Sequence, residues 1–197
     1  MRYLASSMVG LAGLFAASQA MACACCAEPG QRNLVSEPFG GYATEELLSL
    51  QFADRATTFM TACDQDCVEG ISVFSDGYKT KVTWTDDGSL RLDLRAETDE
   101  ASGTLTISRP KEMTLFSADP TPGSSSGMVS LYTEWRIQAP VTGTGTFKAV
   151  DPAKTTATLI IHGTGNSCVS TVGMTNWTLD VKGEGVDFRL FGKLNEL

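Results

Sequence analysis

The chain is poor in histidine, the commonest general acid–base residue, and in positive charge. Its 197 residues contain one histidine, His162, and 15 lysines and arginines against 23 aspartates and glutamates. The formal net charge of −8 argues against nucleic acid and anionic membranes as partners, because both select basic patches. No motif pairs a nucleophile with a base. We therefore expect a non-catalytic protein that does not bind nucleic acid.

Long apolar runs are equally scarce, and the one at the start is short. Leu4 to Ala17 gives 14 residues, fewer than the roughly 20 needed to cross a bilayer. Arg2 precedes this run, and Ala20-Met21-Ala22 fits the small-x-small pattern that a signal peptidase reads. The sequence therefore predicts a signal peptide over 1–22, no transmembrane segment after cleavage, and a periplasmic or secreted mature protein.

A lipid anchor is the alternative outcome of the same cleavage. Cys23 would then carry the lipid and become the new N-terminus. Such sites usually have a branched apolar residue three positions before the cysteine, but Ala20 stands there. Bulky Met21 also occupies a place where a small residue is usual. The match is poor, so anchoring through Cys23 is the secondary interpretation.

The six cysteines predict disulfide bonds, because the mature chain is expected in an oxidising compartment. Cys63 and Cys67 are close enough in sequence to close a small loop. Cys168 would then bond one cysteine of the N-terminal cluster and staple the N-terminal arm to the domain. That cluster consists of Cys23, Cys25 and Cys26. Adjacent Cys25 and Cys26 are badly placed to bond each other, so the connectivity stays open.

The N-terminal cluster also permits a soft-metal site. Thiolates favour copper(I) and zinc, and Cys23, Cys25 and Cys26 place three sulfurs within four residues. The spacing differs from the paired Cys-x-x-Cys arrangement of structural zinc sites, and no histidine lies nearby. Disulfides are therefore the preferred interpretation and copper or zinc the alternative, with no other cofactor expected.

The remainder of the chain alternates apolar and polar residues with the period of two that is typical of strands. The clearest example runs from Met128 to Ile137, and Ala139-Pro140 is predicted to break it. Asp86-Asp87-Gly88 between two alternating runs predicts a tight hairpin. Residues 28–41 are predicted to be irregular, and Glu45 to Phe52 to form the first strand.

About eleven short strands in sequential hairpins predict an all-β domain. The expected architecture is an antiparallel up-and-down meander, forming either a closed or nearly closed barrel or a β-sandwich. The barrel form resembles the lipocalin architecture, although the Gly-x-Trp motif of lipocalins is absent and no family is assigned. The predicted organisation is a signal peptide at 1–22, a cysteine-rich arm at 23–44 and a single β domain at 45–197.

The alternation also predicts which side chains face the core. One inward face should contain Trp84, Leu92, Leu131, Trp135, Phe147, Leu159, Leu179 and Phe188.

Few polar residues stand out as functional candidates. His162 is expected to be an ordinary surface histidine, and Glu134 and Arg136 to be solvent-facing neighbours of a buried Trp135. Asp64 and Asp66 are a weak calcium motif inside the Cys63–Cys67 loop.

The mouth of a small β-barrel can hold a small apolar molecule. We therefore expect an exported β-barrel protein that binds a small apolar ligand or a partner, with the copper or zinc protein as the alternative. The sequence does not fix its oligomeric state.

The predicted processing and cysteine pairing can be checked together on the mature protein. We expect the intact mass to be that of a chain that begins at Cys23 and carries no lipid. Reduction should increase this mass by two hydrogens for each disulfide. Peptide mapping without reductant should join Cys168 to the N-terminal cluster. Added acyl mass would establish the anchor, whereas a free Cys168 beside a metal-loaded cluster would refute the disulfide interpretation.

Overall fold

A computed structural model of the chain describes residues 26–60, 75–97, 101–123 and 129–195. The described part contains one helix and ten strands. In chain order they are β1 (Arg32–Pro38), α1 (Tyr42–Ser49), β2 (Phe52–Met60), β3 (Ser75–Trp84), β4 (Leu90–Ala96), β5 (Ser102–Ile107), β6 (Glu112–Ala118), β7 (Leu131–Gly145), β8 (Thr155–Gly165), β9 (Met174–Gly183) and β10 (Val186–Leu194). No helix among these residues has the length and apolarity to cross a membrane.

Eight of the strands close into an antiparallel barrel. Consecutive strands pair with each other from β2 to β5 and again from β7 to β10. β5 also pairs with β7, and β10 pairs with β2, which closes the barrel. The predicted all-β up-and-down meander is confirmed, and it takes the form of a barrel rather than a sandwich. The described strands number ten rather than about eleven.

Strands β1 and β6 extend one wall of this barrel. The C-terminal half of β7 pairs with β5, from Val141 to Gly145, whereas its N-terminal half, from Tyr132 to Ile137, pairs with β6. Strand β1 then pairs with the far edge of β6. Strands β6 and β1 therefore extend the sheet alongside the part of β7 that β5 does not cover.

The break predicted at Ala139-Pro140 is wrong, because β7 runs through it without interruption. Pro140 lies between the part of β7 that pairs with β5 and the part that pairs with β6. Its carbonyl oxygen accepts a hydrogen bond of 2.9 Å from the Ser108 N–H, at the point where the chain leaves β5. A proline fits inside this strand because its missing N–H would face the gap between β5 and β6, while its other edge runs alongside Thr156 of β8.

The N-terminal region also differs from its prediction. Residues 28–41 contain β1, and the strand expected from Glu45 to Phe52 is helix α1 up to Ser49. Ala43 and Leu47 are four residues apart and buried, so a helix turns both towards the core, while Leu48 is 43% exposed. The division into 1–22, 23–44 and 45–197 stays a prediction.

The predicted hairpin at Asp86-Asp87-Gly88 joins β3 to β4. Gly88 has a φ of 80°, which a glycine adopts without steric cost. Asp87 Oδ1 accepts hydrogen bonds from the Thr85 hydroxyl at 2.5 Å and the Ser89 N–H at 3.0 Å. The Thr85 bond is the main cause of a lowered pKa at Asp87. Hydrogen bonds to the Asp87 carboxylate therefore stabilise this turn.

The barrel interior is filled by side chains. All members of the predicted inward face are buried except Trp84, which is half-buried and packs its ring 6.1 Å from that of Phe39. Leu92, Leu105 and Leu179 are each at most 1% exposed and belong to one apolar cluster. An eight-stranded barrel is about wide enough to be packed in this way.

Two leucines of different burial test this description of the core. Leu159 is completely buried in β8, and Leu48 is 43% exposed on α1. Leu159→Ala should lower the free energy of unfolding by about 2–5 kcal/mol, because the transfer and cavity terms add. Leu48→Ala, the matched control, should change it by less than about 0.5 kcal/mol. Urea unfolding followed by tryptophan fluorescence measures both; equal losses would contradict the assigned inward face.

Candidate functional site

One end of the barrel is covered by α1 and by the loop between β8 and β9. The Thr171 N–H and hydroxyl in this loop donate to Glu46 Oε2 on α1, at 3.0 and 3.2 Å. Just before α1, the Phe39 N–H donates to the Lys111 carbonyl at 2.9 Å. The helix is therefore held from both sides across this end. We call this end, with residues 166–173 as its loop, the helix rim.

The helix rim contains a depression of about 520 Å³ between the start of β7 and the loop. This volume lies within the usual range for small-molecule sites, roughly 300–1,000 Å³. The rim pocket, as we name it, is lined by Val129, Ser130, Thr133, Thr164, Gly165, Asn166, Cys168, Ser170, Val172, Gly173 and Met174. Its described lining thus combines apolar side chains with hydroxyl groups and contains no charged residue.

A smaller depression of about 150 Å³ adjoins it on the other side of the loop. This side pocket is bounded by Val35 of β1, Leu115 of β6 and Trp135 of β7. The two pockets share Thr133, Asn166 and Cys168, so their lining residues overlap around the loop.

Thr133 has an unusual environment at this shared boundary. Its Oγ1 atom is buried and makes no hydrogen bond within the described part of the chain. An unpaired buried hydroxyl costs about 1–3 kcal/mol. Thr133 therefore offers a hydrogen-bonding point to a molecule that enters either pocket.

The N-terminal arm lies against the same loop. The Ser167 hydroxyl contacts the Cys26 carbonyl oxygen at 3.3 Å and Gln31 Oε1 at 3.0 Å. Neither Cys26 nor Cys168 is a free thiol. This placement brings the arm next to Cys168, which the predicted staple requires.

The cysteine connectivity itself stays a prediction. No two described cysteines lie at disulfide distance from each other, and Cys23, Cys25, Cys63 and Cys67 lie outside the described residues.

The two metal predictions also lie largely outside the described residues. Within them, no group of three or more potential metal ligands occurs. The copper or zinc site needs Cys23 and Cys25, and the calcium motif needs Asp64 and Asp66, none of which the structure describes. Both stay predictions.

Glu134, Arg136 and His162 come together on the outer face of the barrel. Cross-strand pairing places Glu134 opposite His162. The Tyr132 hydroxyl donates to Glu134 Oε2 at 3.1 Å, and Arg136 Nε donates to Oε1 at 3.0 Å. With both oxygens engaged, this carboxylate is a poor candidate for a general base. Trp135 points to the opposite, buried side, as predicted.

Apart from Cys168, the sequence does not single out the residues that line the rim pocket, nor does it single out Tyr132. Period-two spacing already places Tyr132 on the face of Glu134 and Arg136, so that signal was available. The rim pocket offered none, because its lining comes from β7, β8, β9 and their loop, and depends on their register.

The outer cluster makes a prediction about pH. Burial, with the negative charge of Glu134 as the next cause, raises the pKa of Tyr132 to about 12. An unfolded tyrosine ionises near pH 10. Between about pH 10 and 12 the unfolded state therefore loses a proton that the native state retains, and stability should fall as pH rises.

Absorbance at 295 nm during a pH titration should show a tyrosine that ionises near pH 12 and that is missing in Tyr132→Phe. Glu134→Gln should lower its midpoint but keep it above 10, because burial remains. A Tyr132→Phe titration identical to that of the unmodified protein would contradict the assignment.

Comparisons of the chain with protein-family models, with curated proteins and with solved structures found no match.

Proposed function

We propose that this protein is an exported, non-catalytic β-barrel protein that binds a small apolar ligand in the rim pocket. The observation that carries the proposal is the pocket itself, with about 520 Å³ of space beside the apolar side chains of Val129, Val172 and Met174. The predicted signal peptide supports export to the periplasm or beyond.

The packed interior favours the rim over the barrel centre. Leu105 and Leu179 are fully buried within the barrel, so their side chains occupy the space that a central ligand would need. At the rim, by contrast, Val172 is 77% exposed. A ligand that covered this side chain would gain roughly 25 cal/mol for each Å² of apolar surface removed from water.

The polar groups of the rim pocket indicate the chemistry of the ligand. No charged side chain is among its described lining residues, so a charged ligand would lose hydration without finding a counter-ion. The buried Thr133 hydroxyl has no hydrogen-bond partner among the described residues and can bond one polar group. The best fit is an uncharged, mainly apolar molecule with one hydrogen-bonding group, such as an alcohol, ketone or ester.

The test uses the neutral fluorophore N-phenyl-1-naphthylamine as the ligand. Gly165 lines the rim pocket, and a Cβ atom added there would lie 3.6 Å from Thr133 Oγ1 and 3.8 Å from the Val172 carbonyl oxygen. Both are ordinary contacts. Gly165→Phe should therefore fill the pocket without displacing the backbone and raise the Kd for the fluorophore about tenfold or more, equivalent to roughly 1.4 kcal/mol.

Gly41→Phe is the matched control. A Cβ at Gly41 meets nothing closer than 3.8 Å, its φ of −85° suits any residue, and it lines neither pocket. This variant should bind the fluorophore like the unmodified protein, with both variants checked for folding by circular dichroism. Absence of binding by the unmodified protein, or unchanged binding by folded Gly165→Phe, would overturn the proposal.

A further inference from the structure

Strand β1 is the one described strand with a single neighbour. It pairs with β6, while every other described strand is bordered on both edges. Leu34 is 70% exposed and Val35 is 50% exposed. Natural sheets usually protect such an edge with charge, a bulge or a covering segment, because its free backbone groups can pair with another strand.

The hydrogen bonds at the two ends of β1 show which backbone groups face β6. The Gln31 carbonyl accepts from the Asp119 N–H at 2.8 Å, and the Phe39 N–H donates to the Lys111 carbonyl at 2.9 Å. In an antiparallel pair, alternate residues point their backbone groups towards the partner strand. The odd-numbered residues from 31 to 39 therefore bond to β6.

The even-numbered residues consequently present their backbone groups at the free edge. Arg32, Leu34 and Ser36 each direct one N–H and one C=O away from β6. Pro38 continues this series, and a proline is tolerated in an edge strand on the side that has no partner. The edge thus contains three residues that each offer an N–H and a C=O group, and it ends at Pro38, which has no N–H to donate.

We propose that β1 pairs antiparallel with β1 of a second copy of this chain, with Leu34 opposite Leu34 across a two-fold axis. Arg32 of each copy then lies opposite Ser36 of the other. The two sheets become continuous through β6, β1 and their counterparts.

Only this register satisfies the whole edge. Residues that pair across a two-fold axis lie on the same face of the sheet. The register can therefore change only if the axis passes through a neighbouring residue, Val35 or Asn33, instead of Leu34. Centring on Val35 sets Pro38, which has no N–H, opposite Arg32. Centring on Asn33 sets Ser36 opposite Gly30, whose φ is 76° and whose N–H already bonds Asp119 Oδ2 at 2.8 Å.

The side chains suit a copy of the same strand better than a charged partner. Leu34 meets its own counterpart beside Phe116, its cross-strand neighbour on β6. Arg32 meets Ser36 and Glu37 meets Gln31, so no like charges stand opposite each other. With one arginine and one glutamate, β1 is neutral within a chain of net charge −8, so the two edges can meet without local repulsion.

Sedimentation velocity of the mature protein over a range of concentrations tests the proposal. We expect a reversible dimer. Leu34→Pro removes an outward N–H but none of the bonds to β6, so it should yield a folded monomer with an unchanged circular dichroism spectrum. Leu34→Val should keep the dimer. A protein that stays monomeric to its solubility limit, or dimers that persist in Leu34→Pro, would overturn the proposal.

Opposite charges at the axis test the register. Leu34→Lys and Leu34→Glu should each raise the dimer Kd about tenfold or more, because like charges then face each other. An equimolar mixture should recover dimers. At Ser36, which faces Arg32, Ser36→Lys alone should weaken the dimer, whereas Ser36→Glu alone should retain or strengthen it. Failure of the Leu34 mixture to associate would refute the register.

Leu34 lines neither pocket. Binding of N-phenyl-1-naphthylamine should therefore survive in all the Leu34 variants, which keeps this test separate from that of the rim pocket.

Discussion

The length of β7 is the constraint on which the rest of the structure depends. Its 15 residues exceed what β5 can cover, because the last residue of β5, Ile107, lies opposite Val141. The exposed backbone of the remaining N-terminal half must be paired. β6 pairs with it, and β1 then covers the outer edge of β6. The extension of the sheet by β6 and β1, the rim pocket beside the start of β7 and the free edge at β1 all follow from this one mismatch.

The packing of the barrel interior determines where a ligand can bind. Large side chains from every described barrel strand fill the interior, as an eight-stranded barrel with leucine-rich strands should. The rim pocket lies outside this packed interior, beside the N-terminal part of β7. Here the loop between β8 and β9 folds back towards α1 and leaves space on two sides. The packed core and the proposed ligand site thereby lie in different parts of the same sheet.

The period-two alternation was enough to predict the barrel strands and nearly the whole inward face. It was misleading where a segment is short or lies at a boundary. Leu48 and Leu50 alternate as in a strand. The segment nevertheless forms a helix of eight residues, which buries Ala43 and Leu47 on one side and leaves Leu48 exposed. The sequence predicts a break at Pro140 because it does not reveal that the missing N–H would face the gap between β5 and β6. The rim pocket was out of reach for the same reason, since only the register of β7, β8 and β9 brings its lining together.

The predicted cysteine chemistry would bear directly on the rim pocket. Besides the packing of Val169 against the core, the described contacts that hold its loop are hydrogen bonds, such as those of Thr171 with Glu46 and Ser167 with the carbonyl of Cys26. Hydrogen bonds of this kind stabilise by about 0.5–1.5 kcal/mol each, so alone they would allow the loop to open. A covalent bond from Cys168 to the N-terminal cluster would remove much of that freedom and lower the entropy cost of binding. Because such a bond forms in an oxidising compartment, export would then complete the binding site as well as deliver the protein.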